Sequence, residues 1–97
     1  MRSAIYHPKA PSEARQFFQY YQSVSPSLAE EFWNELLEVV EIAREFPERH
    51  HFDSTGLRRS NLKRFPVHIL FKTFPTHIRI TTIRHDRQNP SHGTNRI

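Results

Sequence analysis

The stretch Phe65–Pro90, FPVHILFKTFPTHIRITTIRHDRQNP, decides the fold because it holds two runs in which apolar and polar residues alternate. Alternation with a period of two is typical of β-strands that bury one face. A two-residue turn at Phe74–Pro75 would join the runs as a hairpin and place Phe71 opposite Ile78. One face of this hairpin is then mostly apolar, and we expect that face to cover the core.

The opposite face of the predicted hairpin carries histidines and cations instead. The same alternation places His68 and His85 together on this face, which we expect to be open to solvent. A tight turn at Lys63–Arg64 would add the preceding run as a neighbouring strand, with Arg59 opposite His68. A run that begins as a buried strand therefore ends in a positively charged, titratable surface.

Two segments with helical spacing precede these strands. Residues 12–24, SEARQFFQYYQSV, repeat their apolar and aromatic residues at intervals of three and four. A second helix is expected over residues 26–46, because Ser25 is a favourable N-cap and Pro47 stops the helix. We expect the two helices to form an antiparallel hairpin whose aromatic residues lie in the core.

These elements together predict the fold class. A short first strand at residues 3–7, SAIYH, precedes the helices. We expect an α+β fold in which an N-terminal helix hairpin packs on one face of a small, mainly antiparallel, twisted sheet. A chain of 97 residues has the size of one domain, so residues 1–97 are expected to form a single domain.

Charge and composition narrow the classes of function. Residues 1–48 contain four Lys/Arg and eight Asp/Glu, which gives a net charge of −4. Residues 49–97 contain ten Lys/Arg and two Asp, which gives a net charge of +8. The second half therefore suits anionic partners, although a solvated basic surface is an equally open interpretation. The absence of cysteine excludes disulfides and thiolate metal sites. No apolar run resembles a signal peptide or a membrane span, so we expect a cytoplasmic protein with no membrane partner.

The predicted open face has the residues for phosphate chemistry. His68 and His85 are candidates to move protons, and Arg87 to stabilise charge on phosphorus, in a metal-independent cleavage of RNA. Other cations would bind a nucleic acid or another target: Arg58, Arg59, Lys63, Arg64, Arg84 and Arg96. The alternative is that all of these are solvated surface groups. No H-E-x-x-H motif and no glycine-rich phosphate loop occurs, so neither a metal nor a cofactor is expected.

Three segments stand out by their order and spacing: the second helix with its closing proline, SPSLAEEFWNELLEVVEIAREFP, the strand FPVHILFK and the terminal segment IRHDRQNP. Together they resemble the RelE/ParE toxin superfamily of bacterial type II toxin–antitoxin modules. The likeness extends over nearly the whole chain. It implies the same α+β fold, a toxin that arrests growth, and a cognate antitoxin protein as partner.

The resemblance leaves the target open between two branches of the superfamily. RelE-like members are ribosome-dependent endoribonucleases that cut mRNA, and ParE-like members inhibit DNA gyrase. His68 stands where RelE-like members have an arginine, and His92 and Gly93 lie where a late tyrosine is expected. Arg87 matches the basic position after the last strand, and Arg96 a late arginine. The departures favour a ParE-like toxin that binds gyrase over a nuclease that binds the ribosome and mRNA. A third possibility is a member that retains antitoxin binding alone.

Overall fold

Two helices lie between the first strand and the remaining three in the structure, a computed structural model that describes residues 2–96. The elements in chain order are β1 (Ser3–Tyr6), α1 (Lys9–Val24), α2 (Pro26–Glu45), a 3-10 turn (Pro47–Arg49), β2 (Arg58–Asn61), β3 (Val67–Thr73) and β4 (His77–His85). Every helix and strand predicted from the sequence is present. No helix within the described residues is long and apolar enough to cross a membrane.

Serine and proline positions explain where the helices begin. The Leu28 backbone N–H donates to the Ser25 hydroxyl at 3.4 Å, and Pro26 occupies the first turn of α2, as predicted. The first helix begins at Lys9 rather than at residue 12. Its first turn accommodates Pro11, because N–H groups there have no partner within the helix to lose.

The sheet is mixed and has the strand order β1-β4-β3-β2. The first strand runs parallel to β4, whereas the β2–β3 and β3–β4 pairs are antiparallel. Both helices pack on one face of the sheet, where Phe32 of α2 and Phe71 of β3 are fully buried. The predicted α+β class, with a helix hairpin on one face of a mainly antiparallel sheet, is confirmed.

The core between helices and sheet is apolar and aromatic. The ring centroid of Tyr21 lies 5.1 Å from that of Phe32 and 4.8 Å from that of Phe65. The strands contribute buried residues of the same kind: Val67, Ile69, Phe71, Ile78, Ile80 and Ile83. Burying each large apolar side chain contributes about 1.5–3 kcal/mol to the free energy of folding. These helical aromatic residues therefore stabilise the fold, as their spacing predicted.

The β3–β4 hairpin turns one residue later than predicted. The Phe74 N–H donates to the His77 carbonyl oxygen at 2.8 Å, which places the turn at residues 75–76. Phe71 consequently lies opposite Ile80, so the predicted register was wrong by two residues. Because a shift of two residues preserves the alternation of faces, Phe71 and its new partner still face the core.

A β-bulge in β4, next to Leu70 of β3, changes the faces of the residues that follow it. The register shifts by one residue at this point and leaves Thr81 without a direct partner. Ile83 therefore enters the core, whereas the sequence alternation predicted the opposite face. For the same reason His85 lies on the side of the helices, and Arg84 lies on the other side.

The loop between β2 and β3 is longer than predicted. Asn61, rather than Arg59, lies opposite His68, and residues 63–66 form the loop. The predicted tight turn at Lys63–Arg64 was therefore wrong. The register again differs by two residues, so Arg59 stays on the same face of the sheet as His68.

The face of the sheet opposite the helices is covered rather than open. His68, Leu70 and Thr82 are fully buried on this side. The chain after β4 folds back over them, and the Thr82 hydroxyl donates to the Gly93 carbonyl oxygen at 3.2 Å. The prediction of an open second face was therefore wrong at the centre of the sheet, because the C-terminal segment forms a further polar layer there.

Alanine substitutions at two glycines can show how closely this C-terminal segment packs against the sheet. Gly56 and Gly93 have φ angles of +85° and +77°, so alanine at either position costs about 1–2 kcal/mol of backbone strain. A Cβ atom at Gly93 would also lie 2.3 Å from Oγ1 of Thr82, whereas one at Gly56 would meet nothing within 4 Å. In urea denaturation we expect Gly93→Ala to lose at least about 1 kcal/mol more stability than Gly56→Ala. Equal losses would contradict the close packing.

Candidate functional site

The buried imidazole of His68 is the centre of a polar network on the face opposite the helices. Its Nδ1 lies 2.7 Å from Oδ1 of Asp86, and Nε of Arg84 donates to its Nε2 at 3.0 Å. Since an arginine side chain only donates hydrogen bonds, Nε2 is the acceptor and the ring proton is on Nδ1. His68 is therefore a neutral histidine whose two ring nitrogens are both occupied.

Burial is the main reason that the pKa of His68 lies below its usual value. The hydrogen bond with Asp86 acts in the opposite direction, but the neighbouring cations of Arg59 and Arg84 add to the effect of burial. With no exposed surface and no free ring nitrogen, His68 does not reach a substrate phosphate in this conformation. The geometry places this predicted catalytic residue inside the protein.

Arg84 joins the network to the segment that covers it and is only 3% exposed. Its Nη1 donates to the Pro90 carbonyl oxygen at 2.7 Å and to that of His92 at 3.4 Å. Its Nη2 lies 3.4 Å from Oδ2 of Asp53. A guanidinium presents its donors in a planar fork, so one side chain can hold several groups at once. Predicted as a target-binding cation, Arg84 is committed to internal contacts instead.

A second cluster, centred on Glu13 of α1, lies against the part of β4 that β1 leaves unpaired. One carboxylate oxygen of Glu13 accepts from the Ile83 backbone N–H at 3.1 Å and from Nη1 of Arg96 at 2.8 Å. The other carboxylate oxygen lies 2.6 Å from Nε2 of His92. Burial alone would raise the pKa of Glu13, but these hydrogen bonds outweigh it and hold the pKa below its usual value. Arg96, also predicted to bind a target, is therefore an internal partner.

His85 lies on the opposite side of the sheet from His68. Its ring stacks near that of Phe17 in α1, with centroids 6.5 Å apart, and its strand partner Val67 is fully buried in the core. The Nδ1 of His85 accepts from the Arg87 backbone N–H at 3.1 Å, which leaves Nε2 as the ring nitrogen for a ligand. The prediction that the two histidines share one face was wrong, because the bulge in β4 reverses the alternation between them.

The two arginines of β2 have different surroundings. Nη2 of Arg59 lies 3.4 Å from Oδ1 of Asp86, so Arg59 belongs to the network around His68. The Arg58 guanidinium lies over the ring of Phe52, 4.3 Å from its centroid. The structure therefore brings Arg59 close to His68, as predicted, and places Arg58, a predicted target-binding cation, outside this network.

The predicted cations Lys63, Arg64 and Arg87 lie on the surface. Arg64 pairs with Glu31 of α2 at 3.1 Å. Lys63 and Arg87 are exposed, and neither forms an ion pair with any residue in the range 2–96. A macromolecular target can touch these cations and the half-buried His85, and Arg58 and Arg59 are also partly exposed.

Sequence patterns did not reveal the acidic residues that organise the site. Asp53 and Asp86 are the two acidic residues in the basic half of the chain, and both pair with its arginines. Burial would raise the pKa of Asp53, but hydrogen bonds from Thr55 and the charge of Arg84 hold it below its usual value. Asp53 and Asp86 are the two acidic residues among ten cations in this half of the sequence, and this contrast is the signal that could have identified them. Within the described range, no three His, Asp or Glu side chains are placed to hold a metal ion.

The pKa of His68 predicts how the stability of the fold changes with pH. The unfolded chain binds a proton on this residue at about pH 6.5, whereas the folded chain binds it only at lower pH. The stability contributed by neutral His68 is therefore fully present above about pH 6.5 and is lost as the pH falls toward the folded-state value. We expect the urea midpoint to fall between about pH 7 and about pH 5.

Two variants separate His68 from other titrating groups. His68→Gln should be less stable than the wild type near neutral pH, but its midpoint should change less over the same interval. His51→Gln alters an exposed loop histidine and should keep the slope of the wild type. An unchanged slope in His68→Gln would contradict the buried, neutral imidazole.

The fold has a counterpart among solved structures. No protein-family model matches the sequence, and no curated protein matches it either. The chain is similar to a chain of the chromosomal ParDE TA system from P. aeruginosa, with a TM-score of 0.75 and 20% sequence identity. The similarity covers 88% of this chain and 96% of that chain. The RelE/ParE-like fold implied by the sequence resemblance is therefore confirmed.

Proposed function

We propose that this chain is the toxin component of a type II toxin–antitoxin module and inhibits growth by binding a macromolecular target such as DNA gyrase. The fold supports this proposal, since 88% of the chain matches a chain of a ParDE TA system. The charge supports it as well, because ten of the twelve residues charged at neutral pH in residues 49–97 are cations. The module would act in the cytoplasm, where the target lies.

One observation favours binding over RNA cleavage: the two histidines that would form an acid–base pair lie on opposite sides of the sheet. General acid–base cleavage requires both groups within hydrogen-bond reach of one phosphate. His68 is fully buried, with Asp86 and Arg84 at its ring nitrogens. His85 lies beside α1. A site of this kind is better suited to holding a target than to cutting one.

The surface that would hold the target lies at one end of the sheet. The Asp86 N–H donates to the Pro66 carbonyl oxygen at 2.8 Å, which brings the loop at residues 63–66 next to the segment after β4. Lys63 and Arg87, on these two segments, would meet carboxylates of an acidic protein surface through charge-assisted hydrogen bonds. The segments FPVHI and HDRQNP resemble the ParE-like branch and favour gyrase as that target.

A cognate antitoxin is the second proposed partner. The helix hairpin carries a surface pocket of about 570 Å³ lined in part by Phe18 and Trp33, whose rings meet edge to face at 5.7 Å. An amphipathic helix could place its apolar face there, while an acidic extended segment covers the basic end of the sheet. Such a partner would neutralise the toxin by occupying the target surface.

A RelE-like, ribosome-dependent mRNA endoribonuclease is the alternative function. The free Nε2 of His85 and the adjacent Arg87 favour it, because a histidine can act as a general acid or base and a neighbouring cation can stabilise charge on the phosphate. In this alternative His85 and Arg87 would act without a metal ion and without His68.

Expression of the chain without an antitoxin distinguishes the two functions. We expect growth arrest, intact mRNA and loss of supercoiling in a reporter plasmid. Lys63→Glu and Arg87→Glu reverse charges on the target surface and should raise the surviving fraction of cells about tenfold or more. Lys72→Glu makes the same change on β3, near the opposite end of the hairpin, and should leave the arrest unchanged.

Two outcomes would contradict the proposed mode of action. Rapid loss of mRNA that His85→Ala abolishes would support the nuclease instead. Unimpaired growth on expression of the wild-type chain would exclude both functions and leave a chain that retains antitoxin binding alone.

A further inference from the structure

The outer edge of β1 is an unpaired strand edge, because β1 is the last strand in the sheet order. The N–H groups of Ser3 and His7 donate to carbonyl oxygens of the β4 strand and its preceding turn at 3.3 and 2.9 Å. Alternate residues of a strand direct their backbone groups to opposite sides. Ala4 and Tyr6 therefore direct their N–H and C=O groups away from the sheet.

A side chain of α2 already bonds to this edge. Nη1 of Arg44 donates to the Arg2 carbonyl oxygen at 3.2 Å, one strand repeat before Ala4. No other part of the described chain bonds to the outward backbone groups of Ala4 and Tyr6. Two N–H and two C=O groups are thus available to a partner strand.

The other strand edges are closed by the chain itself. Past the end of β1, Glu13 accepts the Ile83 N–H at 3.1 Å and so covers the edge of β4. At the far side of the sheet, the Arg59 N–H donates to the His51 carbonyl oxygen at 3.0 Å and ties β2 to the preceding loop. Natural proteins close edges in these ways because an open edge pairs with other chains. The outer edge of β1 differs from these edges of β4 and β2, because no other part of the described chain bonds to the outward backbone groups of Ala4 and Tyr6.

A groove of about 830 Å³, lined by both apolar and charged side chains, lies between β1 and α2, directly beside the open edge. Leu37 and Ile42 of α2 line it and are 49% and 46% exposed, and Tyr6 of β1 is 37% exposed. Every second side chain of a strand added to β1 would enter this groove. The open backbone edge and the groove therefore form one continuous surface.

The charges of the groove indicate what kind of strand it would accept. Glu38, Glu41 and Glu45 line it together with Arg44, which already pairs with Glu41. Acidic side chains would be repelled here, and lysine or arginine would be attracted. A second copy of this chain would bring the same glutamates of its own α2 against these, so charge disfavours pairing between two copies.

We propose that the outer edge of β1 binds an extended segment of a partner protein as a fifth strand, and that this segment is composed of apolar and basic residues. Its backbone bonds to Ala4 and Tyr6, and its side chains contact Leu37, Ile42 and the glutamates of the groove. This surface is separate from the end of the sheet proposed to hold the target. The inference therefore stands whether or not the chain is a toxin.

Two synthetic peptides, added to the full-length chain and followed by NMR, test this surface. One is Thr-Lys-Thr-Val-Thr-Lys-Thr and the other is Thr-Glu-Thr-Val-Thr-Glu-Thr, both with blocked ends, so that the charged residues and the valine share one face of the added strand. We expect the lysine peptide to bind and to slow hydrogen exchange at the Ala4 and Tyr6 amides. The glutamate peptide should bind at least about tenfold more weakly.

Three variants locate the binding. Ala4→Pro removes an outward N–H and no inward hydrogen bond, so it should weaken binding about threefold to tenfold and leave the urea midpoint nearly unchanged. Glu38→Gln should weaken binding about twofold to fivefold. Glu30→Gln makes the same charge change on α2 outside the groove and should have no effect.

Several results would overturn the inference. They are binding of neither peptide, binding of the glutamate peptide as tightly as the lysine peptide, and amide shifts that spare Ala4 and Tyr6. Dimerisation of the chain that Ala4→Pro abolishes would also overturn it, because the occupant of the edge would then be a second copy.

Discussion

The structure depends on the burial of one cation, Arg84, on the face of the sheet away from the helices. A buried guanidinium is tolerated only where its donors have acceptors. The ring of His68, the carboxylate of Asp53 and the carbonyl oxygens of Pro90 and His92 supply them. Because two of these acceptors belong to the segment after β4, satisfying Arg84 folds that segment over the sheet. The sheet is then covered on both faces, by helices on one and by a polar layer on the other.

This arrangement separates the charged residues into internal and external sets. The cations nearest the centre of the sheet are paired with the few acidic residues of the basic half, and His68 is neutral between them. The exposed cations Lys63 and Arg87 lie in loops at one end of the sheet. The acidic residues of α2 lie beside β1, at another surface of the molecule. Two surfaces of opposite charge are suited to two different partners, in line with the two binding surfaces proposed above.

The elements of this fold could be predicted from the sequence, but the faces of β4 could not. Ser25 and Pro26 mark the start of α2 by local chemistry, and the alternation of β3 marks a strand by burial. The bulge lies at Thr81 and Thr82. Because threonine is found on either face of a sheet, the polarity of these residues does not indicate that the alternation reverses there. The one extra residue of the bulge therefore exchanges the faces of the sheet on which Arg84 and His85 lie.

The burial of Arg84 was equally hidden from sequence patterns. Arginine is usually exposed, and the acceptors that make its burial possible are distant along the chain or belong to the backbone. The class of fold could be predicted because it depends on the order of helices and strands, and the resemblance to the RelE/ParE superfamily implies the same class. The geometry of the site depends on hydrogen bonds and ion pairs between residues that are distant along the chain, and no short motif encodes these contacts.

Amide hydrogen exchange of residues 91–96 in Arg84→Lys, compared with Arg87→Lys, tests most directly whether the buried guanidinium holds the C-terminal segment over the sheet. Lysine keeps the charge at both positions and removes the planar fork that binds several acceptors. We expect exchange in this segment to accelerate about tenfold or more in Arg84→Lys and to remain at the wild-type rate in Arg87→Lys. Unchanged protection in Arg84→Lys would show that the segment is held in place by other contacts and would contradict the central role of this arginine.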